Sequence, residues 1–152
     1  SQLEARRVWG GTLVQASDEV SGYEESLNVV GSIELPKGLE VDVHLAQTIA
    51  KHLKSNAICL VKNGQLVGAG AGQMSRVDSA EIAIKKAGSR ANGSVAGSDA
   101  FFPFPDGPSV LAAAGVSAIV QPGGSMRDEE VTQACNDNNI CMVHTGVRHF
   151  KH

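Results

Sequence analysis

An α/β fold with helices covering a mixed sheet is predicted by three observations. Helix-like and strand-like segments alternate through the second half of the chain. Asn63-Gly64 sits between two apolar runs, the signature of a hairpin, which makes the sheet mixed rather than wholly parallel. A length of 152 residues with 42% hydrophobic content suits one domain with a sizeable core.

The elements follow in order. Val8 to Gln15 reads as a short strand interrupted by Gly10-Gly11. Ala16 to Lys37 is polar, carries Gly22, Gly31 and Pro36, and reads as loop or linker. Residues 1–40 are therefore assigned to an N-terminal strand and linker region, and 41–152 to the main α/β unit. Val43, Ala46, Ile49, Ala50 and Leu53 carry helical spacing across Leu39 to Leu53, with Asp42 as the expected N-cap. Ala57 to Val61 and Gln65 to Ala71 are the strands of the hairpin.

Ser75 followed by Asp78 resembles a capping box, with Asp where Glu is usual, and starts a helix whose buried stripe is Val77, Ala80, Ile84 and Ala87. Gly88 to Gly97 reads as a loop of small residues. Asp106 to Ala114 forms a helix ended by Gly115 as a left-handed cap. Val116 to Val120 is a buried strand, Gln121 to Ser125 a tight glycine turn, and Arg127 to Asn138 a helix with Val131 and Ala134 inward. Ile140 to His144 is the last strand, followed by a basic tail from Gly146.

Composition narrows the function classes. A net charge of −3 with scattered basic residues leaves no footprint for nucleic acid. The longest nearly apolar stretch, Val110 to Val120, is too short for a bilayer, so no membrane partner is expected. The start of the chain has no signal-peptide pattern, which places the expected location in the cytoplasm. Cys59, Cys135 and Cys141 are odd in number and too few for a disulfide framework. No Cys-x-x-Cys and no His-x-Glu occurs, so a zinc site is not expected and no metal ligand is assigned.

The segment from Gly97 to Asp106 is the most informative. It places Phe101, Phe102 and Phe104 within four residues, in a chain with six aromatics, and stiffens them with Pro103 and Pro105. An apolar wall ending in the Asp106 carboxylate suits a flat heteroaromatic ligand with ring N–H donors. The competing explanation is a loop whose phenylalanines plug the core. Two glycine turns, Gly70 to Ser75 and Gln121 to Ser125, each join a strand to a helix, where backbone N–H groups favour anions. Neither matches the phosphate-loop or dinucleotide pattern. Arg76 at a helix start and Arg148 in the tail could hold a carboxylate or phosphate, or be surface charges. Asn56 could pair with an amide-bearing substrate or cap the strand. His144, His149 and His152 lack a partner nucleophile motif and read as core or solvated residues.

Five strings, in order, carry a resemblance: Lys54-Ser-Asn56-Ala, Gly70-Ala-Gly-Gln-Met-Ser-Arg76-Val, Ser98-Asp-Ala-Phe-Phe-Pro-Phe, Gln121-Pro-Gly-Gly-Ser125 and the terminal Arg148-His-Phe-Lys-His152. From about Val8 to the last residue the chain resembles the C-terminal part of the AICAR transformylase family. This is the formyltransferase domain of the purine-biosynthesis enzyme that also carries IMP cyclohydrolase. The resemblance implies a three-layer, cytidine-deaminase-like α/β fold without its zinc. It implies formyl transfer from the co-substrate 10-formyltetrahydrofolate to the amine of AICAR, in a homodimer. Carried over residue by residue, Asn56, Phe101 and Arg148 would contact AICAR, with Arg148 near the phosphate. Arg76, Val77, Asp106, Ser125 and Met126 would lie on the folate side, Asp106 reading the pterin ring. A potassium ion among carbonyls near the C-terminus occurs in some relatives.

Two departures stand out. Pro105 occupies a position where the family usually has Arg. The family's catalytic Lys-His pair belongs to an upstream half-domain and has no match here, so no catalytic residue is assigned in this chain. The sequence thus reads as a fragment of a longer protein or as a reduced homologue. Its roles are the folate-binding and AICAR-anchoring half of a formyltransferase site, an inert folate- or nucleotide-binding module, or a dimerisation module.

Overall fold

The structure, a computed structural model, describes residues 2–19 and 27–152. A hairpin comes first, formed by β1 (Leu3–Val8) and β2 (Gly11–Ala16) about a Trp9-Gly10 turn with Gly10 at φ 84°. The glycine pair read as an interruption of one strand is thus the turn between two. The main sheet contains β3 (Asn28–Val30), β4 (Ile58–Lys62), β5 (Gln65–Gly70), β6 (Val95–Ser98), β7 (Ala118–Gln121) and β8 (Cys141–His144), in the order β3-β8-β7-β6-β4-β5. Strands β6, β7 and β8 run parallel, and β3, β4 and β5 pair antiparallel, so the mixed sheet is as expected. Among the described residues the α-helices are α1 (Glu40–His52), α2 (Arg76–Ala87), α3 (Asp106–Ala113) and α4 (Asp128–Asp137).

Period-two alternation along the strands creates two cores. Ile58, Leu60, Ala96, Ile119 and Met142 face one way and pack with Ala80, Ala83, Leu111, Val131 and Cys135 of α2, α3 and α4. Cys59, Val61, Val95, Ala118, Val120, Cys141 and Val143 face the other way, onto Val43, Ala46 and Ala50 of α1. The sheet is therefore sandwiched between one helix and three. All three thiols are free and buried. Burial pushes the Cys59 and Cys135 thiols up to about 12 and Cys141 up to about 11, so at neutral pH they are packing groups and not nucleophiles.

Several local expectations are met with their physical causes visible. Ser75 accepts a hydrogen bond from the Asp78 N–H and starts α2. Asn63 and Gly64 take φ 52° and 73° between paired Lys62 and Gln65, as a two-residue hairpin of the NG type requires. Gly115 closes the region after α3 at φ 83°.

Four differ. Residues 88–97 are not a loop throughout: a 3-10 turn over Gly88–Ala91 leads into β6, a buried strand at the middle of the sheet. The polar segment before α1 contributes β3, and Ile33 and Leu35 pack against the α1 side of the core. Within that segment residues 20–26 lie outside the described residues. On α4 it is Cys135 rather than Ala134 that joins Val131 inside. Finally, Asp42 does not cap α1, whose N-cap position is Leu39 without a side-chain bond. Its buried carboxylate instead accepts the Asn63 N–H at 3.0 Å and the Gly64 N–H at 2.7 Å, tying α1 to the β4–β5 turn. Asp42→Ala should therefore lower stability by about 1–3 kcal/mol, because two amides lose a charged acceptor, while Asp42→Asn loses less. Urea unfolding of the two variants checks the order; equal stability of Ala variant and parent would refute the clamp.

Candidate functional site

Beyond the carboxyl end of β6 the chain runs through the Phe-Pro segment into α3, opposite the start of α2. A cleft of about 450 Å³ opens there. Six of the eight residues expected at the site line it: Asn56, Arg76, Val77, Phe101, Asp106 and Arg148. Met74, Pro103, Phe104 and Phe150 complete its apolar surface.

The phenylalanines divide between the two roles set out for them. Phe102 is 1% exposed and joins the core, its ring lying against Gly107 where a Cβ would come within 2.6 Å. Its N–H is fixed by the Gln121 side-chain oxygen at 2.8 Å. Phe101 and Phe104 face the cleft instead. Proline at 103 and at 105 keeps the intervening backbone out of helix and sheet, so neighbouring rings can point in opposite directions. Asp106 is the first residue of α3 and is exposed at the cleft; one carboxylate oxygen accepts the Gly107 N–H at 2.8 Å. Its remaining lone pairs are open to a ligand donor.

Arg76 is neither a solvated arginine nor a free cation. It is 8% exposed, and its guanidinium is divided among Asp99, Ser98 Oγ at 2.9 Å and Asn56 Oδ1 at 2.9 Å. Asp99 was not singled out from the sequence. It is fully buried and also accepts from Ser55 Oγ and from the Ala57 N–H at 3.0 Å.

The tail is docked. The His149 N–H donates to the Asp99 carbonyl at 2.8 Å, the Ser55 N–H donates to the Lys151 carbonyl at 3.0 Å, and Lys151 Nζ reaches the His52 carbonyl. His149 is 3% exposed with Nδ1 2.5 Å from Asp18 Oδ2. These anchors bring Arg148 to the cleft, its guanidinium 5.7 Å from the Phe150 ring centre. His152 stacks on the Phe150 ring, with ring centres 6.3 Å apart.

Ser125 and Met126 do not line the cleft. They belong to the turn before α4, which reaches the rim indirectly: Arg127 lies 5.2 Å over the Phe104 ring. The Gly124 and Ser125 N–H groups, expected to attract an anion, are already taken by the Asp128 carboxylate at 2.7 and 3.1 Å. At the first glycine turn the Asp78 N–H is taken by Ser75 Oγ, and the Gly72 N–H by the Lys54 carbonyl. His144 lies away from the cleft, 3.3 Å from Gln121 Nε2, and burial lowers its pKa against the opposing pull of Asp128. No histidine, lysine or cysteine is among the described residues lining the cleft. Among the described residues no three His, Cys, Asp or Glu side chains are grouped to hold a metal ion, and no helix is long and apolar enough to cross a membrane.

The model of the AICARFT/IMPCHase bienzyme family matches residues 1–86, more than half of the chain. The chain belongs to that family. It is 50% identical over 151 residues to the bifunctional purine biosynthesis protein PurH of Rhodopirellula baltica, covering 99% of this chain and 29% of that protein. PurH of Corynebacterium glutamicum is 51% identical over 155 residues, covering 99% of this chain and 30% of the relative. The chain thus spans about three-tenths of the length of these curated relatives. Among solved structures, Acinetobacter baumannii RibD matches at 19% identity with a TM-score of 0.48, over 68% of this chain and 35% of that one. The family expected from the five strings is therefore the family found.

Proposed function

We propose that the chain is the folate-binding and AICAR-anchoring half of a formyltransferase site, built on a cytidine-deaminase-like layered fold. The observation that carries this reading is the cleft itself. One continuous surface brings together the phenylalanine wall, an exposed carboxylate at a helix start and the docked arginine of the tail. A pterin ring would lie against Phe104 and donate to Asp106. AICAR would stack on Phe101, pair its carboxamide with Asn56 and place its phosphate at Arg148.

In the reaction the amine of AICAR forms a bond to the formyl carbon, the bond from that carbon to the folate nitrogen breaks, and the proton lost by the amine ends on the folate nitrogen. These residues contribute binding and orientation, which bring the amine against the formyl carbon. No histidine, lysine or cysteine lines the described cleft, and Asp106 is assigned to the pterin ring, so no residue of this chain is assigned the proton transfer. This favours a second reading for the chain in isolation: a binding module without turnover. The proposal includes the expected homodimer and cytoplasmic location. For the potassium ion, the Phe150 and Lys151 carbonyls already accept from Gln15 Nε2 and the Ser55 N–H, so we assign the ion no ligands and no step.

Calorimetric titration with AICAR and with a folate analogue, alongside a formyl-transfer assay, tests the reading. Binding of both without turnover is expected; absence of binding for both sinks it. Asp106→Ala should weaken the folate analogue by about 1 kcal/mol and leave AICAR nearly unchanged, since an exposed carboxylate stands at the low end of about 1–3 kcal/mol. Equal losses for the two ligands would remove Asp106 from pterin recognition.

A further inference from the structure

Asn56 is the only neutral amide side chain lining the cleft among the described residues, and its orientation is fixed from behind. Its Oδ1 accepts from Arg76 Nη2 at 2.9 Å, and its Nδ2 donates to the Gln73 carbonyl at 3.1 Å. A flipped amide would set its own donors against the guanidinium, so the assignment is unambiguous. One N–H and one lone pair of Asn56 remain for a ligand.

Arg76 is in turn held by Asp99 and by Ser98 Oγ at 2.9 Å, and that hydroxyl donates to the Ala100 carbonyl at 2.7 Å. Asp99 also accepts from Ser55 Oγ and the Ala57 N–H. A buried ion pair is tolerated when its lone pairs and donors are satisfied in this way. It also means that the Arg76 charge is already compensated within the protein and is not the cation that would attract a ligand's phosphate or carboxylate.

Resting on the functional reading above, we propose that Asp99, acting through Arg76, is a positioning residue that presents the Asn56 amide to the carboxamide of the substrate, and that Arg76 itself captures no anion. The same Asp99 ties the arginine-bearing tail to this site through its main-chain carbonyl, which accepts the His149 N–H. Side chain and main chain therefore serve separate ends: the carboxylate sets Asn56, and the carbonyl sets the segment carrying Arg148.

Arg76→Lys separates positioning from charge. Lysine keeps the ion pair with Asp99 but, as a point donor on a flexible stem, cannot also hold Asn56 in the same fork geometry. In the ligand-free, isotope-labelled chain the two side-chain N–H signals of Asn56 should shift and draw together in Arg76→Lys and in Asp99→Asn, with the remaining backbone spectrum preserved in Arg76→Lys. AICAR should bind Arg76→Lys about tenfold more weakly, while ribose 5-phosphate, which has no carboxamide, should change less than about twofold. Combining Arg76→Lys with Asn56→Ala should be no worse than Asn56→Ala alone, the mark of one shared interaction.

Unmoved Asn56 signals, or losses that add in the double variant, would overturn the proposal. A parallel loss of ribose 5-phosphate would return Arg76 to anion binding and overturn it equally. Should Asp99→Asn fail to fold, Arg76→Lys carries the test. Lack of AICAR binding by the parent chain would instead overturn the functional reading, and the Asn56 signals would still decide the positioning role.

Discussion

Replacing Gly97 by valine should lower the melting temperature by about 6–12 °C, since overpacking costs up to about 3 kcal/mol and each kcal/mol moves a domain of this size by about 2–4 °C. The cause is a close approach of helix and sheet. Gly97 lies in β6, between β4 and β7, and α1 crosses directly above it. A Cβ at Gly97 would stand 2.5 Å from the Ala46 carbonyl oxygen and 3.0 Å from the Ala46 Cβ. The obstacle is helix backbone and not a side-chain tip, so relief requires α1 or the strand to move. An interior strand hydrogen-bonded on both sides has little room to do so, and α1 carries Val43, Ala46 and Ala50, on which one of the two cores depends. Gly97→Ala should cost less than valine but still register. Gly11, in the hairpin, meets nothing within 4 Å, so Gly11→Ala serves as a control with little effect. Thermal unfolding by circular dichroism gives the comparison; a Gly97→Val chain melting with the parent would show that α1 is not seated as described.

The same residue explains where sequence reading succeeded and where it stopped. The elements read correctly are those with a local cause: the Asn-Gly turn, the serine cap of α2, the glycine after α3 and the apolar runs of β4, β7 and β8. β6 was missed because Val95-Ala-Gly-Ser98 is almost devoid of the branched residues that signal strands. Its small side chains answer to the helices lying close on each face, and that requirement comes from residues about fifty positions away. Asp42 has the right chemistry for an N-cap, but its partners are 21 and 22 positions downstream at the hairpin turn. Arg76 is legible in the sequence as a forked cation at a helix start, yet its partners, Asp99 and Asn56, lie 23 and 20 positions away and only the fold brings them together. The cleft was more legible than the network behind it. Phenylalanine, proline and a terminal carboxylate occur consecutively in the segment from Gly97 to Asp106, so the wall is a local feature. The buried pair that orients Asn56 is a tertiary one.

The arginine of the tail provides the sharpest division between ligands. Arg148→Ala should weaken AICAR by roughly tenfold, while the dephosphorylated nucleoside should change less than about twofold. Arg76 is committed to Asp99 and Asn56, which leaves Arg148 as the cleft-lining cation without a salt bridge among the described residues. Because Arg148 is exposed, its contribution is set at the low end for a charged hydrogen bond and should shrink as salt rises. Its position depends on the neighbours that dock the tail, namely the His149 N–H on the Asp99 carbonyl and the His149 ring on Asp18. His149→Ala should therefore mimic much of the Arg148 loss for the phosphorylated ligand without touching the nucleoside, although His149 itself is buried and does not line the cleft. If the nucleoside and the nucleotide weaken together in either variant, the tail acts on the ring or the ribose rather than on the phosphate. If only Arg148→Ala discriminates, the guanidinium reaches the phosphate without help from the His149 ring.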